Sequence, residues 1–439
     1  MAELKRIFGW RTIAILTIGS VIGSGIFLVP SAVLRDSGGS VGLATMVWVV
    51  GGILSYLGAL TYAELAAMNP GSGGLYLYIR DAFGPAVAFA YGWTLFVVIG
   101  SGTVAALAVA SSTYLAVWIP MSPVAQKMVG VFFALMVASI NVLGTQRSTG
   151  VLKLGTAIKL GAIGLLVVAL PLLGSGFSKV DHVWPALSTP GLAASSGLAL
   201  VSVLWAYEGW QYLTFMTGET IEPQRNFPRG LALGVFGLIV IYVLAALAYV
   251  AALGPAGAMA SDRVAADAAG AILGESWAKI ITIPVIISML TAAQANSMMA
   301  ARVYFAMASD GVFFRRMANV HPRFGTPAFA LLAAGIWSAM LAASGRFDVL
   351  LQYVVFVGWL FYSLGGLAVL VLRRTQPETA RPFRVPGYPI TPILFVGSGL
   401  AIVVNTVVQS PQKGLIGLGA TAAALPIYAL WRRLASPST

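Results

Sequence analysis

The 439-residue sequence is 59% hydrophobic and 9% charged, with a formal net charge of +12 and no cysteine. Soluble domains carry roughly 25% charged residues, so a soluble protein of this length is excluded and lipid must solvate most of the chain. The lack of cysteine also excludes disulfides, thiolate metal sites and cysteine nucleophiles.

Apolar runs long enough to cross a ~30 Å hydrocarbon core predict about 12 spans. They are placed at 9–34, 41–67, 84–118, 124–145, 150–174, 196–217, 230–253, 277–308, 327–343, 347–371, 389–409 and 414–434. Several exceed the ~20 residues needed, which predicts tilt or extension beyond the bilayer. The opening, Met1 to Trp10, has a superficial likeness to a signal peptide. It lacks a small-residue cleavage site and leads into further spans, so it is read as a retained first helix.

Of the 26 Lys and Arg residues, about 18 fall on the side that holds both termini and about seven on the other. The richer side includes Lys5, Arg6, Arg11, Arg225, Arg229, Arg315, Arg316, Arg323, Arg373, Arg374, Arg381 and Arg384. Positive-inside bias therefore places both termini in the cytoplasm, with the chain in the cell inner (plasma) membrane. The basic excess is a topology signal rather than a nucleic-acid footprint. With no low-complexity linker or soluble domain, residues 1–439 read as one transmembrane domain.

A loose correspondence, offset by about 185 residues, relates the first and sixth spans and the long third and eighth spans. It divides the chain into a first five-helix unit over 9–174 and a second over 196–371, with two additional helices over 389–434. Five spans per unit is an odd number, so the second unit enters from the opposite face. Such inverted repeats place ligand at the midplane, where helices are interrupted.

In the first span, Gly23 and Gly25 flank Ser24 within Gly19-Ser20-Val21-Ile22-Gly23-Ser24-Gly25. One reading is close helix packing through a small-xxx-small pair, Gly19 and Gly23. The other is local unwinding, which would free amides at a half-helix N-terminus to hold a carboxylate. Unwound backbone at that depth requires a cavity beside it.

The sixth span carries Glu208 within Trp205-Ala206-Tyr207-Glu208-Gly209-Trp210. An intramembrane acid is costly, so it is read as an acceptor for an ammonium group or a proton, against a silent structural hydrogen bond. Trp205, Tyr207 and Trp210 could wall a pocket or simply pack. Lys159, in the fifth span, is read as the one basic residue deep in a span, needing acceptors unless it snorkels.

Glu64 reads as a helix-end or gate residue, and the run from Gly218 to Pro228 as a solvated charged connection. His182 and His321 fall in loops on opposite sides, so neither a shared metal site nor a relay is expected. No phosphate loop, dinucleotide fingerprint or nucleophile constellation is present. The expectation is a non-enzyme without cofactor or metal.

Gly19 to Phe27 resembles the first-helix motif of the amino acid–polyamine–organocation superfamily. The stretches 205–210, 223–228 and 381–389 are similar to motifs of its L-type amino acid transporter family, and 61–65 and 70–74 also fit. The resemblance runs from about residue 9 to 390. It implies an all-α membrane protein with a LeuT-like 5+5 inverted repeat and discontinuous helices 1 and 6.

It further implies that the backbone around Val21, Ile22, Gly23, Ser24 and Gly25 binds a substrate carboxylate. Carbonyls near Val21, Trp205 and Ala206 would take the α-ammonium. Tyr207, Glu208 and Gly209 complete the second broken segment. Lys159 matches a lysine that stands where sodium-coupled relatives bind an ion, Trp205 an aromatic lid, and Trp359 a pocket wall.

Two departures matter. Glu208 stands where many neutral-substrate members carry a small residue, and an acid there also occurs in the member type that takes cystine and dibasic amino acids. Ser122 and Pro123 occupy the loop whose cysteine, in animal members, joins a single-span glycoprotein; a prokaryotic transporter without a disulfide-linked heavy-chain subunit is expected. The resulting expectation is a sodium-independent transporter of neutral L-amino acids, by exchange, working by alternating access. Its alternative is a proton-coupled transporter of cationic amino acids or polyamines with Glu208 as cation ligand.

Overall fold

A computed structural model describes residues 5–180, 182–185, 191–344, 347–409 and 411–435. Residues 1–4 of the opening segment, and both ends of the 1–439 domain assignment, lie outside the described residues.

The described chain is helical apart from one bridge, between Phe8 and Thr220. The first predicted span is two helices, α1 (Trp10–Val21) and α2 (Gly25–Asp36), bent by 57° across a three-residue gap. α3 (Val41–Met68) starts on a Ser40 cap whose hydroxyl accepts from the Leu43 amide. A short α4 (Leu75–Phe83) leads to α5 (Pro85–Thr94). Five residues of π-helix, Leu95–Ile99, join α5 to α6 (Gly100–Leu115).

α7 (Pro123–Val142) begins at a Ser122 cap with Pro123 in its first turn, where a missing amide costs nothing. α8 (Thr145–Leu173) follows after Gly144. The sixth predicted span is α9 (Leu192–Ala206), an interruption at Tyr207–Gly209, and a 3-10 stretch over Trp210–Glu219. α10 (Pro223–Ala260) is kinked at Gly254, whose φ of 72° suits glycine.

α11 (Val264–Leu273) and α12 (Glu275–Ile280) precede α13 (Thr282–Ser309). α14 (Ala328–Ser344), α15 (Phe347–Thr375) and α16 (Ile390–Gln409) follow. The last predicted span is two helices, α17 (Pro411–Ala422) and α18 (Ala424–Ala435).

Among the described residues, seven helical segments are long and apolar enough to cross a membrane, or eight with the bent α1–α2 pair counted as one. α9, α14, α16 and the α17–α18 pair fall short because they are brief or interrupted. Outer helices turn large apolar side chains outward, such as Met128 and Phe132 on α7 and Leu154 and Val168 on α8. In water such faces would be a liability; against lipid tails they cost nothing.

α1 packs along α10 and α13, α2 against α9, and α6 against α13. The two interruptions are thereby brought to the middle of the helix assembly. Close approach explains two glycines there. A Cβ on Gly25 would lie 3.0 Å from the Ala206 Cβ, and one on Gly209 would lie 2.9 Å from the Ser20 carbonyl oxygen. Gly209 also has φ of 128°, which an L side chain rarely adopts.

The two readings of the first-span glycines separate in the same way. Gly19 is packed on Thr156 of α8, whereas a Cβ on Gly23 would meet nothing nearer than 3.6 Å. Gly19 serves packing; Gly23 sits in the gap.

Two polar groups depart from their expected setting. Lys159 is not alone, because Arg302 lies within α13, fully buried. Its Nε donates to Glu219 Oε1 at 2.8 Å and its Nη2 to Thr145 Oγ1 at 3.0 Å. Glu219 is accordingly a buried ion-pair partner rather than part of a solvated loop. An arginine in a span is tolerable only when its charge and donors are matched, and the end of the 3-10 stretch supplies the match.

Candidate functional site

The gap in the first span is Ile22–Ser24. Its consequence follows from helix chemistry. The last carbonyls of α1 and the first amides of α2 lose their intrahelical partners, leaving a negative end facing a positive one. The end of α9 adds a second set of free carbonyls. Backbone in this state needs partners from elsewhere.

Lys159 supplies one at the first break. Its Nζ donates to the carbonyls of Ile22 at 2.6 Å, Gly19 at 3.0 Å and Ser288 at 3.3 Å. The side chain is fully buried, so it does not snorkel. Ser288 of α13 adds hydrogen bonds to Ile22 O at 3.0 Å and Gly23 O at 2.9 Å. Tyr242 of α10 bridges the two breaks, its hydroxyl 3.1 Å from Ala206 O and 3.4 Å from Val21 O.

Between the breaks is a cavity of about 60 Å³, room for about four waters. Val21, Gly23, Ser24 and Gly25 line it from the first break, and Trp205, Ala206, Glu208 and Gly209 from the second. Thr103 and Leu107 of α6, Tyr212, and Ala292 and Asn296 of α13 complete much of the wall. The Ser24 hydroxyl, Glu208 Oε2 and Asn296 Oδ1 are buried without a hydrogen-bond partner. Unmatched acceptors in a buried cavity are expensive, so a ligand bearing donors is the natural complement.

Three residues expected at the site face elsewhere. Ile22 is outside the lining, and its contribution is the carbonyl held by Lys159 and Ser288. Tyr207 turns its ring onto Trp48 and Tyr242, with its hydroxyl toward Trp48 O. Trp359 also lies outside the lining, packed against Tyr362 and Phe395. Tyr362, three residues further along α15, reaches inward instead and donates to Glu208 Oε1 at 2.9 Å. One turn of helix separates the two roles. Trp210 packs on Tyr62 and Phe395, away from the cavity.

Sequence reasoning missed Tyr242, Ser288, Asn296, Tyr362 and Arg302. Arg302 carried the clearest signal, a charge inside a predicted span. The others are polar groups of ordinary kinds in helices, with nothing in the sequence to mark which way they face. Glu64, near the end of α3, is buried and paired. It accepts from Arg373 Nε at 2.8 Å and Nη2 at 2.7 Å, and from the Val385 amide at 2.6 Å.

Among the described residues, no cluster of His, Asp and Glu is arranged to hold a metal. Comparison with known proteins decides the family, since the amino acid permease profile matches residues 8–427. The chain belongs to the amino acid permease family.

This permease is a multi-pass amino acid transporter and not an enzyme, of the amino acid–polyamine–organocation type that its motifs resembled. It is 29% identical to the serine/threonine exchanger SteT of Bacillus subtilis, over 97% of this chain and 96% of that protein. It is 30% identical to the b(0,+)-type amino acid transporter 1 of Rattus norvegicus, over 90% of this chain and 81% of that protein. The human large neutral amino acids transporter small subunit 2 is 30% identical, over 97% of this permease and 80% of that protein.

Proposed function

We propose that this permease is a sodium-independent exchanger of small neutral L-amino acids, working by alternating access. The observation that carries the reading is the pair of helix breaks facing one small cavity, with Lys159 bonded to the backbone of the first. The substrate carboxylate lies at the free amides around Ser24 and Gly25, where the α2 dipole is positive. Its ammonium lies at the carbonyl ends of α1 and α9, near Val21, Trp205 and Ala206. The limited volume favours side chains of the size of alanine, serine or threonine. The similarity to a serine/threonine exchanger agrees with that class.

Lys159 brings a fixed positive charge to the carbonyls that a coupling sodium ion would otherwise need. Transport then requires no Na⁺. The architecture that accompanies this reading is a LeuT-like 5+5 inverted repeat over 9–174 and 196–371, with two further helices over 389–434. It has twelve crossings, so α9, α14, α16 and the α17–α18 pair also cross. Both termini are cytoplasmic, the membrane is the cell inner membrane, and no disulfide-linked subunit is needed.

Purified protein in liposomes tests the reading. Uptake of labelled serine or alanine is expected to accelerate with internal amino acid and to be unchanged when choline replaces sodium. A strict sodium requirement, or no acceleration by internal substrate, overturns it.

A second reading rests on Glu208, whose Oε2 borders the cavity without a partner. A cationic amino acid or polyamine would place its distal ammonium there, with proton coupling through the same carboxyl. Arginine and putrescine would then compete with serine in the wild type and lose that ability in Glu208→Gln.

A further inference from the structure

Away from the substrate cavity, a second cavity of about 430 Å³ opens beside the start of α8 and the segment before α1. Lys5, Arg147 and Arg323 line it. None of the three has an ion-pair partner among the described residues; Arg323 rests only over the Phe324 ring, at 5.6 Å. The one acid on its wall, Glu219, is already neutralised by Arg302. The field in the cavity is therefore positive.

Backbone adds to it. Thr145, Gln146 and Arg147 are the first three residues of the 29-residue α8, and all line the cavity. Amides in a first turn have no intrahelical acceptor and carry the positive end of the helix dipole. An adjoining crevice shares Ile7 and Gln146 with this cavity and contains Lys153 and Thr149. The Thr149 hydroxyl is buried, with the residue 5% exposed, and has no hydrogen-bond partner.

Unpaired cations and free amides around one hollow, with an orphan hydroxyl in the crevice beside it, are groups that hold phosphoryl oxygens. We propose that this cavity binds a phosphate-bearing anion, either free phosphate or the headgroup of an acidic phospholipid. Arginine and helix amides supply directional donors, while Lys5 supplies charge, with Lys153 in the adjoining crevice. The site is separate from the amino acid cavity and does not depend on which amino acid is carried.

The test is thermal stability of the purified full-length protein, titrated with inorganic phosphate in neutral detergent at constant ionic strength. It is repeated in nanodiscs of phosphatidylcholine with and without phosphatidylglycerol. The variants are Arg147→Gln/Arg323→Gln and, as a control, Lys279→Gln, an exposed cation elsewhere. A saturable rise in Tm with phosphate, at least about tenfold weaker in the double variant and intact in the control, assigns the site to a free anion. No response to phosphate, with stabilisation by phosphatidylglycerol lost only in the double variant, assigns it to a lipid headgroup. If neither probe stabilises the wild type, or both variants respond as it does, the proposal is wrong. Should the double variant fail to fold, Lys5→Gln replaces it in the same comparison.

Discussion

The ammonium of Lys159 lies 2.6 Å from the carbonyl oxygen of Ile22, inside the gap between α1 and α2. A helix cannot be interrupted within a membrane unless the freed peptide groups are rebonded. Lys159, with Ser288, does the rebonding, so the open backbone at Gly23 and Ser24 is held in place before any substrate arrives.

Replacing Lys159 by alanine is expected to lower amino acid exchange at least tenfold while protein still reaches the membrane. Arginine should not rescue it, because a planar guanidinium cannot occupy the space of a compact ammonium. Initial exchange rates in liposomes, normalised to inserted protein, check both statements.

Gly209→Ala places a Cβ 2.9 Å from the Ser20 carbonyl oxygen at a φ of 128°. The strain should cost about 1–3 kcal/mol. Thermal denaturation in detergent is expected to show a lowered Tm. An unchanged Tm would mean that the two breaks are not held in contact.

Removing one member of the Arg302–Glu219 pair leaves a buried charge without its partner, a loss of about 3–5 kcal/mol. Arg302→Met and Glu219→Leu singly should each impair folding, seen as aggregation on fluorescence-detected chromatography. The double variant is expected to recover much of the monodisperse peak, since the uncompensated charge is then gone.

Tyr242→Phe removes the hydroxyl that reaches both Ala206 O and Val21 O. Hydrogen bonds of this kind contribute about 1 kcal/mol net. A rise of several-fold in the KM for serine is expected with little change in fold stability. Glu208→Gln, which retains an oxygen acceptor for Tyr362, should keep serine exchange within about threefold.

The breaks were legible because the sequence breaks local rules at those points. Glycines flank Ser24 within an apolar run, and Glu208 precedes Gly209 where an acid is costly. Lys159 was legible for the same reason. Arg302 breaks the same rule, but its partner Glu219 lies 83 residues away in a stretch that reads as a loop, so the sequence does not pair them. Trp359 and Tyr362 show another limit. Both are aromatic residues on α15, and only packing against α16 decides which of them turns toward Glu208. The π-helical stretch at Leu95–Ile99 likewise has no proline or charge to announce it.

The bridge before α1 bears on how the molecule could move. The amides of Ile7 and Phe8 both donate to Glu219 O, at 2.8 and 3.1 Å, and the Ile221 amide returns a bond to Phe8 O at 2.9 Å. This splice joins the root of α1 to the far end of the 3-10 stretch, so the lower halves of both interrupted spans are yoked. If alternating access tilts one of them, these bonds would carry the other with it, opening the cavity toward that face as a single jaw rather than by two independent hinges. Such a tilt would turn about Ile22 and Tyr207, whose backbone and ring are moored to α8, α13 and α3.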